Sequence, residues 1–264
     1  RENEGKIAAA ALVGPRTLIF FAQQEKSSLL GESETQEFRS DLSAGLQADV
    51  TSLAIDRFQE SLIAGTTSGD ILHWQVDEPE NPALVETFSP GVGQKAPISA
   101  LGWVLGDRSL VVGDELGRVS VWFQVRNPEN PQEAFYRQSH VFRSHKAPVI
   151  AIAPSPRDKG FVTTDSLGTV LLHHSTSEQT LLELATAGNS LPLIAFAPKA
   201  DGALTVDSQG QLFRWDLFNP HPEITLRTLF GKVWYEGYPE PDYSWQSTSG
   251  TDDFEPKLSL TPLA

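Results

Sequence analysis

Short apolar runs alternate with turn residues along most of this chain, and one spacing marks four of them. A threonine or aspartate is followed three residues later by glycine, and five residues after that by a large ring. The four copies are Thr66-Gly69-Trp74, Asp114-Gly117-Trp122, Asp165-Gly168-His173 and Asp207-Gly210-Trp215. They recur roughly every 40 to 50 residues, the period of a modular fold. Before each glycine lies an apolar run, at 61–65, 109–113, 160–164 and 202–206, and after it an alternating one, at 70–74, 118–122, 169–173 and 211–215. That pattern predicts antiparallel hairpins whose turn takes a positive φ at glycine. The preceding aspartate can hold such a turn by bonding its own backbone.

A further strand is predicted upstream of each pair, at 50–55, 98–104, 149–153 and 191–197, and another downstream, at 83–88, 135–142, 180–184 and 223–229. Asn81-Pro82, Asn127-Pro128, Asn130-Pro131 and Asn219-Pro220 mark loops between third and fourth strands, because proline cannot donate to a sheet ladder. No long stretch carries helical periodicity. Residues 6–42 follow the same plan without the marker glycine and ring; their candidate strands are 7–12, 17–22, 27–31 and 37–41. The chain therefore reads as all-β, with five four-stranded antiparallel units, four of them clear and one divergent. Such units bury one another best when arranged radially, as blades of a β-propeller over residues 1–230. The repeats resemble the WD40 family in their Asp-x-x-Gly turn and the strand ending in tryptophan. They depart from it in that only Trp215-Asp216 shows the tryptophan–aspartate pair, and Ser144-His145 is the nearest echo of its Gly-His pair. Rings of six or seven blades are commoner for this repeat type, which leaves room for further units before Arg1.

Charge narrows the partners. The chain of 264 residues carries a net charge of −14 and no cysteine. An acidic surface repels phosphate backbones, so nucleic acid is not an expected partner. The lack of cysteine removes disulfides, thiol catalysis and thiolate metal sites, and fits either side of a membrane. No apolar run reaches the roughly 18 residues of a membrane helix. The chain starts at Arg1 and contains no methionine, which reads as a piece of a longer polypeptide.

Residues 231–264 break the repeat. Three of the four tyrosines and two of the six tryptophans fall there. Clustered Trp and Tyr suit a membrane–water interface, a docking site, or packing back over the propeller. Trp234-Tyr235-Glu236-Gly237-Tyr238, Trp245-Gln246-Ser247-Thr248 and the run from Gly250 to Leu260 resemble the segment ahead of the transmembrane core in bacterial phosphate ABC transporter permeases. Those are enlarged relatives of the first permease subunit of the phosphate-specific transport system. The resemblance implies a soluble domain of an inner-membrane permease, facing the periplasm. It also implies other transporter subunits or the phosphate-binding protein as partners, and transfers no functional residue.

The residues themselves point away from chemistry: no catalytic, cofactor or metal site is expected. His173 and His174 are adjacent on a strand and face opposite ways, so they cannot share a metal; His173 reads as the structural counterpart of the tryptophans. His140 and His145 lack a third ligand. Asp252-Asp253 lacks the rest of a calcium loop, and Gly91-Val92-Gly93 does not lie between a strand and a helix. Asp114, Asp165 and Asp207 recur as turn residues, one per unit. The expected function is non-catalytic docking or sensing in phosphate import. A free-standing WD40-like scaffold is the alternative. A propeller enzyme is disfavoured by apolar residues at the starts of the first strands, Val50, Ile98, Val149 and Leu191.

Overall fold

The computed structural model describes residues 6–27, 33–90, 94–128, 134–142, 145–184, 190, 193–197, 202–216 and 261–262. They form five antiparallel sheets in chain order. The first sheet holds β1 (Lys6–Gly14), β2 (Thr17–Ser27) and β3 (Ser33–Asp41). The second holds β4 (Val50–Ile55), β5 (Ser61–Thr66), β6 (Ile71–Gln75) and β7 (Ala83–Phe88). The third is β8 (Ile98–Trp103), β9 (Ser109–Asp114), β10 (Val119–Arg126) and β11 (Ala134–Val141). The fourth is β12 (Val149–Pro154), β13 (Gly160–Asp165), β14 (Val170–His174) and β15 (Gln179–Leu184). The fifth is β16 (Leu193–Phe196), β17 (Gly202–Val206), β18 (Leu212–Asp216) and β19 (Thr261–Pro262).

Each sheet is a meander because period-two alternation and a tight turn leave each strand only its chain neighbour to pair with. The second strands are buried almost end to end in the second to fourth sheets. They are flanked by a strand on each side and covered by a sheet on each face. Consecutive sheets meet at their first strands: β1 lies against β4, β4 against β8, β8 against β12, and β12 against β16. The cores lie between sheets. Leu18, Phe20, Leu62, Leu72 and Trp74 fill the first interface. Ile63, Ile71, Ile98, Leu110, Trp122 and Tyr136 fill the next, and Val111, Val121, Phe142, Val149 and Phe161 the one after. The rings Trp74, Trp122 and His173 at the marked position thus face the preceding sheet. This is a propeller-type stack of blades, and no closed ring is detected among the described residues.

Two expectations need correction or restriction. Residues 6–42 were expected to give four strands and their described part gives three, because β2 runs through Ser27 as one long strand paired with β3. The expected strand at 223–229 lies outside the described residues; the strand seen beside β18 is Thr261–Pro262, through Arg214↔Thr261 and Phe213↔Pro262. The aromatic segment before it, and its expected separation as a unit from residue 231, also lie outside the described residues.

The marked glycines adopt positive φ, from 80° to 86° at Gly69, Gly117, Gly168 and Gly210. Only some are also sterically confined. A Cβ on Gly117 would meet the carbonyl oxygens of His145 at 2.6 Å and Ala147 at 2.7 Å, whereas one on Gly210 meets nothing within 4 Å. Both substitutions to alanine incur the left-handed penalty of about 1 kcal/mol. Gly117→Ala must also push the following loop aside, a further 1–3 kcal/mol or so. Chemical denaturation should therefore show Gly117→Ala lowering stability clearly more than Gly210→Ala.

Candidate functional site

The four marked turns share one construction. In the third sheet, Asp114 accepts backbone N–H bonds through Oδ1 from Leu116 (2.9 Å) and Arg118 (3.0 Å). Asp165 does the same with Leu167 (3.0 Å) and Thr169 (2.8 Å), and Asp207 with Gln209 (2.9 Å) and Gln211 (2.8 Å). Thr66 has only a hydroxyl, which accepts from Asp70 N (3.1 Å) and donates to Asp70 O (2.8 Å). A carboxylate has a second oxygen to spare. Asp114 gives it to Arg118 Nε at 2.6 Å, and Asp165 to His145 Nδ1 at 3.2 Å.

From His145 a chain of side chains crosses the fourth sheet. His145 Nε2 is 2.7 Å from Thr163 Oγ1, which is 2.9 Å from His173 Nε2; His173 Nδ1 is 3.1 Å from Thr180 Oγ1. Burial holds the His173 pKa down to about 3, with His145 contributing, so this imidazole is neutral at neutral pH. Were His145 neutral beside a carboxylate at Asp165, proton counting would allow one arrangement. Thr180 donates to His173 Nδ1, His173 Nε2–H to Thr163, Thr163 to His145 Nε2, and His145 Nδ1–H to Asp165. All four bonds point the same way, toward the carboxylate, and such chains polarise one another.

Asp165, His145 and Thr163 thus reproduce the order carboxylate, imidazole, hydroxyl of an activated nucleophile. They are sealed, however: the side chains of His145 and Asp165 are fully buried, Thr163 is 0% exposed, and its hydroxyl is committed in both directions. The grouping ties a turn, a loop and two strands together. Sequence spacing did not bring it out, because Ser144-His145 lies 20 residues from Asp165. The available signal was His145 placed just ahead of a marked turn whose ring is histidine.

The remaining candidates stay apart. His174 turns to the opposite face of β14 from His173 and meets Thr176. His140 lies on β11, 3.6 Å from Glu178, while His145 is committed to Asp165. Asp114, Asp165 and Asp207 occupy three separate turns. Among the described residues no three His, Cys, Asp or Glu side chains gather as metal ligands. Gly91-Val92-Gly93 and Asp252-Asp253 lie outside the described residues.

A feature missed in the sequence is a cleft of about 460 Å³ between the second and third sheets. Glu60, Ser61, His73 and Gln75 line one side, Gln124 and Phe135 the other. His73 is 4% exposed and meets Ser61 Oγ through Nε2 at 3.2 Å. Its ring stands edge-on to Tyr136 at 5.2 Å, and its Nδ1 makes no hydrogen bond. Burial lowers the His73 pKa to about 4. Without an acid behind it, this imidazole is a weak base and Ser61 is not activated. Among the described residues no lysine or arginine lines the cleft.

No protein-family model matches the chain, and no curated protein does. Its fold is similar to that in the crystal structure of the computationally designed Ika4 protein, at 19% identity and a TM-score of 0.51, over 65% of this chain and 93% of that one. At that identity the likeness concerns the fold alone.

Two measurements check the buried polar groups. Thr163→Val removes the centre of the chain and strands two imidazole nitrogens, which should cost roughly 2–4 kcal/mol in urea denaturation. The pH dependence follows from His73 and His173. Their folded pKa values, about 4 and about 3, lie below the unfolded 6.5, so the unfolded chain binds protons first. Their contribution is complete above pH 6.5 and is lost as pH falls toward 4, at a slope approaching about 1.4 kcal/mol per unit for each. His73→Gln should reduce that slope between pH 6 and pH 4.

Proposed function

We propose that this chain is a non-catalytic docking domain of a phosphate ABC transporter permease, held at the bacterial inner membrane and facing the periplasm. The observation that carries the reading is the aromatic segment from Trp234 to Leu260, whose motifs resemble the lead-in to the permease core. The described sites support docking over catalysis. The acid–base constellation of the fourth sheet is sealed, and the open cleft pairs a weakly basic histidine with an unactivated serine. They also support protein binding over capture of phosphate, since among the described residues no cation lines the cleft and the chain carries a net charge of −14. The partner in this reading is the phosphate-binding protein or another transporter subunit.

A free-standing interaction scaffold is the second reading. It is favoured by Thr261–Pro262 pairing with β18, which returns the far end of the aromatic segment to the fifth sheet. Two measurements separate the readings. The product of the full-length gene should resist carbonate extraction from membranes. The purified domain should bind the phosphate-binding protein of the same organism saturably in calorimetry, and give no heat with phosphate alone. A full-length product that fractionates as soluble, with no heat on mixing with the binding protein, would remove the transporter reading and leave the scaffold.

A further inference from the structure

The cleft between the second and third sheets is lined by polar groups whose hydrogen bonds are only partly used. Ser61 is the informative one. Among the described residues its Oγ has one polar contact, His73 Nε2 at 3.2 Å. Burial keeps the His73 ring neutral at neutral pH, so one of its two nitrogens carries a proton. Nδ1 is buried and makes no hydrogen bond. A proton there would be an N–H sealed from every acceptor, which costs more than an uncovered lone pair. The proton therefore belongs on Nε2, which donates to Ser61 Oγ. The Ser61 hydroxyl accepts from the histidine and keeps its own proton to give, and the cleft is where it can give it.

The groups around Ser61 are held in place by the two sheets. Asp56 Oδ1 accepts from Glu60 N (2.8 Å) and Ser61 N (2.9 Å), which fixes the turn that presents both side chains. Ser61 is paired with Gln75 across β5 and β6, and Gln124 of β10 is paired with Tyr136 of β11. Glu60, Gln75 and Gln124 are exposed at the mouth, while Val85 and Phe135 supply apolar wall. Arg137 stands over the Phe135 ring at 5.5 Å, but its guanidinium is turned to Glu86 at 3.4 Å. The volume, about 460 Å³, is that of a small-molecule site.

We infer that this cleft binds a neutral saccharide of one or two rings. The lining disfavours each rival in turn. An anion would meet the Glu60 carboxylate and, among the described residues, no lining cation. An ammonium or guanidinium has donors only and cannot take the Ser61 proton. An apolar ligand would bury a hydroxyl and two carboxamides unpaired. A single peptide amide has too few groups for the set. A sugar hydroxyl is donor and acceptor at once, so one can accept from Ser61 while it donates to Glu60. The carboxamides of Gln75 and Gln124 each offer a donor beside an acceptor, which suits two neighbouring hydroxyls. The C–H face of the ring then lies on Phe135 and Val85. This site is additional to protein docking and does not depend on the transporter assignment.

Two NMR experiments on the isotopically labelled chain of 264 residues test it at neutral pH. Long-range nitrogen–proton spectra of the imidazole should show His73 protonated on Nε2. A proton on Nδ1 would make Ser61 the donor to Nε2, remove the spare proton and overturn the proposal. The second experiment is a titration with glucose, galactose, mannose, N-acetylglucosamine and maltose up to tens of millimolar. At least one should shift the amide signals of Ser61, Gln75 and Gln124 together and saturably. Gln75→Ala and Ser61→Ala should each weaken that sugar roughly three- to tenfold, the worth of one neutral hydrogen bond. Gln75 is exposed, so its variant keeps the test open should Ser61→Ala fail to fold. No saturable shift with any of these sugars, shifts confined to residues away from the cleft, unchanged affinity in Gln75→Ala, or equal shifts with inorganic phosphate or agmatine would each overturn the site. Calorimetry with the phosphate-binding protein bears on the docking reading alone, so the two fail separately.

Discussion

In the middle of this stack each second strand is enclosed on four sides, by a strand at each edge and a sheet over each face. β9 meets all four conditions and every one of its residues is buried. Enclosure requires the inner strands of successive sheets to approach closely, and that is why Gly102 faces Ile152 with no room for a methyl group between them. The same requirement directs the rings of three marked positions toward the preceding sheet, so that Trp74, Trp122 and His173 fill three successive interfaces.

The ring position is solved in two chemical ways. Trp122 has one donor, and Ser120 Oγ accepts it at 2.9 Å, so the position closes on itself. His173 has two ring nitrogens and needs a partner for each once it is buried. Thr180 serves one and Thr163 the other, but the Thr163 proton then needs an acceptor of its own. His145 provides it and in turn needs Asp165. The carboxylate was already present to hold the turn, so the chain ends on a group the repeat supplies in any case. His73 shows what an unfinished version looks like, with Ser61 on one nitrogen and nothing on the other.

Much of this was legible in the sequence. The marker Asp114-x-x-Gly117 fixed both the hairpin and its register, and β4, β5, β7, β9 and β13 lie where alternation and turn residues put them, to within a residue. What was not legible has a common cause. The Asp165–His145–Thr163–His173 chain and the cleft beside His73 are made by residues brought together across strands and sheets, and period-two alternation says nothing of which neighbour a buried side chain meets. The first unit misled for a different reason. Separate strands were expected at 17–22 and 27–31, yet β2 continues unbroken because β3 pairs with it as far as Ser27↔Ser33.

The two ends of the stack differ in what they offer. The fifth sheet is where the far end of the chain returns, at Thr261–Pro262 beside β18. Among the described residues the first sheet ends at β1, with Ile7 and Val13 exposed along it. If the aromatic segment leads to a membrane, the tether belongs to the fifth sheet, at the far end of the succession from β1.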